Sequence, residues 1–316
     1  YVHQLCDETQ IATDEANTPQ ANNFPQIQPT IGKVTMIYGN STTYDKALET
    51  HELHGRRFNY PQFILRQPIL DGTFNKYAIL LSLVLQELAK PEGQRLEWLF
   101  WHDSDTVLMN PNMPLEVFLP PDHFGDVHLL LTKDWNGMNN GVFFLRVHEW
   151  SVNLLSAAIA YPTIHPDVEL FWPDQSALTN LFNENEIFAR SVVYCPLRWF
   201  NAYMRSPDGR KQNKDSPARF QVHPGDLLVH FPGTPREHLN HTLFPYLQIA
   251  QGHEAEWEPT LEKTEYIQET STFWGTINRQ PYLPKPKNKP SPKVEVTQEQ
   301  DPEISLDPEQ PEAQEF

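Results

Sequence analysis

Two carboxylates stand two residues apart in Asp103-Ser104-Asp105, directly after the apolar run Trp98-Leu99-Phe100-Trp101. In an extended segment, side chains at i and i+2 project to one side, so the pair can share a single hard divalent cation. A polar turn, with one Asp accepting from nearby backbone amides, is the other reading of the same residues. Far along the chain, Val229-His230-Phe231-Pro232-Gly233 sets a histidine inside an apolar strand. Carboxylates and an imidazole together make a donor set that suits Mn²⁺ or a similar ion. A core histidine bonded to a backbone carbonyl is the alternative for His230. Only a folded sheet brings positions 103, 105 and 230 together.

Three further segments carry polar groups that chemistry can use. Gly137-Met138-Asn139-Asn140-Gly141 precedes an apolar run, and its glycines permit either a plain turn or a close approach that presents Asn139 to a ligand. Asp174-Gln175 opens an apparent helix, where Asp174 serves equally as a first-turn acid. Lys76, on a buried-looking helix, and Arg198, before Trp199-Phe200-Asn201, are either anion partners or salt-bridge residues. Other constellations fail on spacing. His51 and His54 are three apart, not the four of a helical zinc protease site, and there is no phosphate-cradling glycine loop and no serine nucleophile elbow. Two cysteines, Cys6 and Cys195, rule out a Cys-based zinc site and a disulfide framework, leaving at most one bridge.

The elements that must position these residues alternate. Val34 to Tyr38, Phe63 to Leu65, Trp98 to Trp101, His128 to Leu131, Val142 to Leu145 and Leu227 to Phe231 have the short apolar character of buried strands. Tyr44 to Gly55, Asn75 to Leu88, His148 to Ala160 and Asp174 to Phe182 have helical patterning. Alternating strands and helices predict an α/β sheet with helices on its faces, and ligands at the carboxyl ends of its strands.

The ends differ in composition from the middle. Residues 1–30 hold four acids and no Lys or Arg, and residues 285–316 hold four lysines and eight acids among many prolines. Neither can bury enough apolar surface to offset ordering entropy, so the first is predicted to be a flexible stem and the second a disordered tail. The whole chain of 316 residues has 24 Lys and Arg against 41 Asp and Glu, a net charge of -17. Such a balance excludes a phosphate-tracking nucleic-acid groove. No apolar run is long enough to span a bilayer, and sequons at Asn40-Ser41-Thr42 and Asn240-His241-Thr242 permit glycosylation.

Taken in order, Trp98 to Thr106, Gly137 to Arg146, Asp174 to Leu178, Asn201-Ala202-Tyr203 and Val229 to Gly233 resemble glycosyltransferase family 34, the galactosyl, mannosyl and xylosyl transferases of fungi and plants. The likeness runs from Lys33 to Gly233. It implies a single GT-A domain, α/β and Rossmann-like with a mixed central sheet, over 31–284, between the stem and the tail. It implies a Mn²⁺-dependent retaining transferase that moves a sugar from a nucleotide diphosphate donor to a glycan or glycoprotein acceptor.

Carried over by position, Asp105, His230 and Asp103 would hold the metal, with Asp103 also on the nucleotide side of the donor. Lys76, Ser104, Asn139, Gly141 and Gly233 would face the donor, and Asp174 and Gln175 would sit by the anomeric carbon with Asn139 lining the sugar pocket. Two departures stand out: Pro173 occupies a position that is often acidic in relatives, and Thr234 to His238 replaces a Cys-containing segment, leaving Arg236 as a possible diphosphate partner. The likeness further implies a Golgi luminal enzyme held by a membrane anchor upstream of Tyr1 and able to form a complex with other glycosyltransferases. An inactive subunit that binds a nucleotide sugar or glycan is the other class these departures allow.

Overall fold

The computed structural model describes residues 29–277. Cys6, the tail from 285 and all of the stem but Pro29 and Thr30 lie outside the described residues. The fold begins β1 (Ile31–Met36), α1 (Thr42–Phe58), β2 (Gln62–Leu65), α2 (Asn75–Ala89), β3 (Trp98–His102) and β4 (Thr106–Leu108). A hairpin follows, β5 (Leu129–Asp134) and β6 (Gly137–Arg146), then α3 (Glu149–Ile164), α4 (Pro173–Glu184), the single turn α5 (Glu186–Ala189) and β7 (Val192–Cys195). The chain continues through α6 (Leu197–Phe200), β8 (Ala202–Tyr203), β9 (Leu228–His230), α7 (Arg236–Gln251) and α8 (Tyr266–Thr276). Among the described residues no helix is long and apolar enough to cross a membrane.

Six strands form one sheet in the order β2-β1-β3-β6-β5-β7. All run parallel except β6, which is antiparallel to both neighbours. This is the expected α/β domain on a mixed central sheet. Strand β3 is buried along its whole length, which is why its sequence is continuously apolar instead of alternating. Its side chains still alternate in direction. Leu99 and Trp101 join the core under α2, α3 and α4, whereas Trp98 and Phe100 join the opposite core with Phe118, Trp199 and Trp274. Full burial of one such large apolar side chain is worth about 1.5–3 kcal/mol, so both layers hold β3 in place.

A second, three-stranded sheet, β4-β9-β8, packs against α7 and α1 through Val107, Val229, Leu243 and Ala47. Its strands are two or three residues long. Of these, only the region of β9 is predicted from apolar patterning.

One segment resolves differently from a plain turn. The hairpin reverses at Asp134 to Gly137, where Gly137 adopts φ 107, a left-handed conformation that favours glycine. Met138 to Gly141 then lie inside β6, which is ten residues long. Thr132 pairs with Asn139 across the hairpin, so the asparagines belong to a buried strand.

Candidate functional site

The carboxyl end of β3 is where the two sheets meet. His102 is in register with Val142 of β6, and Asp103 N–H donates to the Gly141 carbonyl at 2.8 Å. The chain then turns through Ser104 and Asp105 into β4, where Thr106 is in register with His230 of β9. On the other side of β9, Tyr203 of β8 is in register with the same histidine. Strand pairing thus delivers Asp103, Asp105, Tyr203 and His230 to one place although they are up to 127 positions apart in sequence.

Asp103, Asp105 and His230 each turn one ligand atom to a common point, all within 4.8 Å of one another. His230 Nε2 lies 3.5 Å from Asp105 Oδ1, and its Nδ1 meets Asn201 Oδ1 at 2.7 Å. Since a carboxamide oxygen only accepts, Nδ1 carries the proton and Nε2 offers its lone pair toward the carboxylates. The Asn201 amide is in turn fixed, donating to Thr132 Oγ1 and Asn139 Oδ1, both at 2.8 Å. Gly141 explains itself here: a Cβ at that position would fall 2.2 Å from His230 Cε1. The imidazole occupies the space a side chain would take.

Such a donor set, two carboxylates and one oriented imidazole, fits a divalent ion of the Mn²⁺ kind. The carboxylates themselves favour one. Burial lifts the Asp103 carboxyl above the usual range, Lys76 opposes that, and Asp105 pushes it further up. A cation between the two acids would relieve the repulsion.

Beside this triad lies a second network built on Lys76. Its ammonium, buried on α2, reaches Asp103 Oδ1 at 3.2 Å, Asp174 Oδ2 at 3.1 Å and the Asn140 carbonyl at 2.9 Å. All three of its donors are therefore taken inside the protein. Burial disfavours the charge, but Asp103 and Asp174 outweigh it and hold Lys76 above its ordinary value. Likewise burial is outweighed at Asp174, where Lys76 and the Asn140 amide keep the carboxyl below the usual range.

Asn140 joins the pieces. Its side-chain amide donates to Asp174 Oδ2 at 2.8 Å and meets Tyr77 Oη at 2.9 Å, while its backbone N–H donates to Gln175 Oε1 at 3.3 Å. Pro173 is the first residue of α4, where a missing N–H costs nothing and its fixed φ suits a helix start. The Asp174-Gln175 pair is thereby aimed from the first turn of that helix.

Asp103, Ser104, Asp105, Lys76, Asn139, Gly141, Asp174, Gln175, His230 and Gly233 all line one cavity of about 480 Å³. Asn139 contributes from inside the wall: it donates to Asp134 and contacts Tyr203 Oη, and its oxygen accepts from Gly141 N and Asn201. Arg198 is elsewhere. It binds Asp226 at 2.5 Å and Glu269 at 2.7 Å, anchoring α8, so the salt-bridge alternative holds and the anion-partner alternative does not. Arg236 begins α7, near enough to Tyr44 to act on its hydroxyl electrostatically, and Tyr44 lines the cavity. Asn140, Asn201, Tyr77 and Tyr203 take part as well, although none of them stands out singly in the sequence. Their signal was present only as parts of longer motifs.

Comparison with known proteins finds glycosyltransferases. The profile of the galactosyl transferase GMA12/MNN10 family matches residues 120–238. The probable alpha-1,2-galactosyltransferase gmh1 of Schizosaccharomyces pombe is 25% identical over 254 residues, 70% of this chain and 71% of that protein. The probable alpha-1,6-mannosyltransferase MNN10 of Saccharomyces cerevisiae is 30% identical over 140 residues, 35% of each chain. An uncharacterized alpha-1,2-galactosyltransferase of S. pombe, C637.06, is 27% identical over 168 residues, 43% of this chain, and the match spans only about half, 47%, of that relative's length. Among solved structures, a glycosyltransferase involved in glycosylating the major capsid of PBCV-1 aligns over 68% of this chain and 100% of its own, at a TM-score of 0.49 and 19% identity. The chain is thus similar, through residues 120–238 and in its longer relatives, to the galactosyl transferase GMA12/MNN10 family, glycosyltransferase family 34.

Proposed function

We propose that this chain is a Mn²⁺-dependent, retaining glycosyltransferase that moves galactose or mannose from a nucleotide diphosphate sugar to a glycan acceptor in the Golgi lumen. One observation carries the reading: a three-ligand cation site and an ionised Asp174 face the same cavity, linked by the single buried ammonium of Lys76. Asp103, Asp105 and His230 would hold the ion, which when bound neutralises charge gathering on the departing diphosphate and orients the donor. The protein's own groups do the remaining work.

Asp174 and Gln175 stand at the sugar end of the cavity. A carboxylate held ionised there stabilises positive charge developing at an anomeric carbon, and it needs no reorganisation because Lys76 and Asn140 already fix it. Lys76 acts from within: with its donors taken, it sets the spacing of Asp103 and Asp174 and so the distance between metal end and sugar end. Asn139 and Asn201 keep His230 in the tautomer that can ligate. Ser104, Gly141 and Gly233 supply wall and backbone at the diphosphate end.

The test is nucleotide release from UDP-galactose, GDP-mannose and UDP-xylose with added Mn²⁺. The parent chain is expected to release nucleotide from one donor, and Asp105→Ala to lose the Mn²⁺-stimulated part while keeping its thermal transition. Saturating the parent with Mn²⁺ and that donor at 100 times its Kd is expected to add about 2.7 kcal/mol of stability. Turnover unaffected by Asp105→Ala, or unaffected by chelator, rejects the metal assignment.

A further inference from the structure

Two indoles stand exposed at the rim of the cavity. Trp135, at the tip of the β5–β6 hairpin, is 61% exposed, and Trp172, the residue before α4, is 45% exposed with Phe171 beside it at 74%. Both indoles line the cavity that holds Asp174 and Gln175. They are held, not loose. The Asp134 carboxylate accepts from Asn136 N at 2.6 Å and so pins the hairpin tip, and the Trp135 ring rests edge-on against Tyr203 at 5.3 Å and tilted on Phe220 at 5.5 Å. Trp172 N–H donates to Ser176 Oγ at 3.1 Å, which fixes its backbone at the helix start.

Leaving large aromatic area in water on rigid supports costs solvation that nothing in the described fold returns. Aromatic faces carry negative quadrupole charge and prefer flat apolar partners with positive edges. One face of a pyranose ring, lined by C–H groups, has that character. Its hydroxyls point outward, where the Asn136 amide shares the cavity wall. The nucleotide is poorly placed to use these rings, because the diphosphate end is marked by Asp103, Asp105 and Gly233 while Trp172 adjoins Asp174. The nearby carboxylates Asp134 and Asp174 also disfavour an anionic partner.

We propose that Trp135 and Trp172 form the acceptor subsite, a pair of aromatic platforms that bind a neutral glycan and present its hydroxyl to the sugar held by Asp174 and Gln175. This rests on the transferase reading above and specifies its acceptor: an uncharged oligosaccharide, not an acidic glycan, peptide or lipid headgroup.

The experiment uses the parent chain, Trp135→Ala, Trp172→Ala and the conservative Trp135→Phe, each checked for an unchanged thermal transition. With Mn²⁺, UDP-galactose or GDP-mannose, and neutral α-mannotetraose or α-galactotetraose as acceptors, KM is measured for donor and acceptor separately. Each alanine variant is expected to raise the acceptor KM about tenfold or more, as truncating an aromatic anchor does, while donor KM moves less than the acceptor's and Trp135→Phe recovers most of the loss. An unchanged acceptor KM, or a shift confined to donor KM, overturns the subsite. Should the parent turn over neither donor, the transferase reading fails by itself. The subsite is then judged by fluorescence titration with the two tetrasaccharides: quenching that disappears in Trp135→Ala upholds it, and no response in the parent overturns it.

Discussion

Two lysines lie buried on opposite faces of the main sheet and come to opposite ends. Lys33, on β1, is fully buried, and Lys76, on α2, is 3% exposed. Lys76 meets two carboxylates and is held charged above its ordinary value. Lys33 meets a carbonyl of His51 at 2.9 Å and the Nδ1 of His54 at 3.3 Å, and burial drives it well below its ordinary value with only a distant pull from Glu52. Burial is common to both, so the difference lies in the partners. A cluster of acids makes a buried cation part of a binding site. A cluster of histidines makes it a structural donor that favours neutrality.

The histidines around Lys33 follow the same logic. Thr106 Oγ1 donates to the Asp103 carbonyl at 2.7 Å, so His51 Nε2 at 3.0 Å must donate to Thr106. That leaves His51 Nδ1 as a buried lone pair with no partner among the described residues. Protonating it would create an N–H with nothing to accept it, beside the stacked ring of His102 at 3.7 Å. His54 is likewise fixed, donating from Nε2 to the Met113 carbonyl at 2.8 Å while Nδ1 accepts from Lys33.

Replacing each lysine by methionine is the sharpest way to break the contrast. Lys76→Met strands Asp103 and Asp174 against each other in a buried site, which is expected to cost about 3–5 kcal/mol in chemical unfolding and to abolish nucleotide release. Lys33→Met leaves the His51 carbonyl still served by Gln62 Nε2 at 3.1 Å and strands only the lone pair of His54 Nδ1, so its expected cost is about 1–2 kcal/mol, with activity retained. Equal costs for the two substitutions would mean that burial alone, not the partner set, governs both sites.

Much of this was legible in the residues, and where it was not, the reason is physical. Asp103 and Asp105 announce themselves because they end a continuously apolar strand, and such an end is where α/β sheets place ligands. His230 does so because it interrupts an apolar run. Asn201 and Asn140 carry no comparable signal, since each acts by bridging elements 29 to 62 residues away along the chain. The Gly137 to Gly141 segment is ambiguous for another reason. Two glycines flanking two asparagines suit a turn, yet only Gly137 sits in one, whereas Gly141 is needed because His230 fills its side-chain space. Strands β4 and β8 are too short for a period of two to register. The exposure of Trp135 and Trp172 is a property of the folded rim, and aromatic residues in a sequence point first to a core.

Acid tests the histidine side of the contrast. Burial, with Lys33 and the neighbouring histidines adding to it, holds His51 and His54 well below the usual imidazole value, and the contact with Met113 only partly restores His54. The groups facing them are Lys33, His102, Arg57 and, through Lys33, Glu52. A depressed value in the fold means stability fully present above about pH 6.5 and lost below it, as the unfolded chain takes up protons that the folded one refuses. Asp226 pulls the other way, since burial lifts its carboxyl to about 6 against the pull of Arg198. A difference between variants removes that contribution. His54→Gln is expected to lose stability about 1.4 kcal/mol less steeply per pH unit below 6.5 than the parent, measured by urea unfolding from pH 7 to 5.5. Parallel slopes would show that His54 takes up its proton in the fold as readily as in the unfolded chain.

The smallest effect on the metal site is expected where the two clusters touch. Thr106 bonds to both, through the Asp103 carbonyl on the acidic side and through His51, with His102 Nδ1 at 3.3 Å, on the basic side. Thr106→Val keeps the shape and removes the hydroxyl, leaving the His51 N–H and the Asp103 carbonyl short of a partner at an expected cost of about 1–2 kcal/mol. Because the acidic site is held from its other side by Lys76, Asn140 and Trp101, whose indole donates to Asp103 Oδ1 at 2.8 Å, the loss should not travel across. Mn²⁺ affinity is therefore expected to change by less than about threefold, and a double-mutant cycle of Thr106→Val with Lys33→Met to show coupling of about 0.5 kcal/mol or more, since both act on the histidines. A large drop in Mn²⁺ affinity would instead make the two clusters one cooperative network, and the opposite fates of Lys33 and Lys76 would have a common cause.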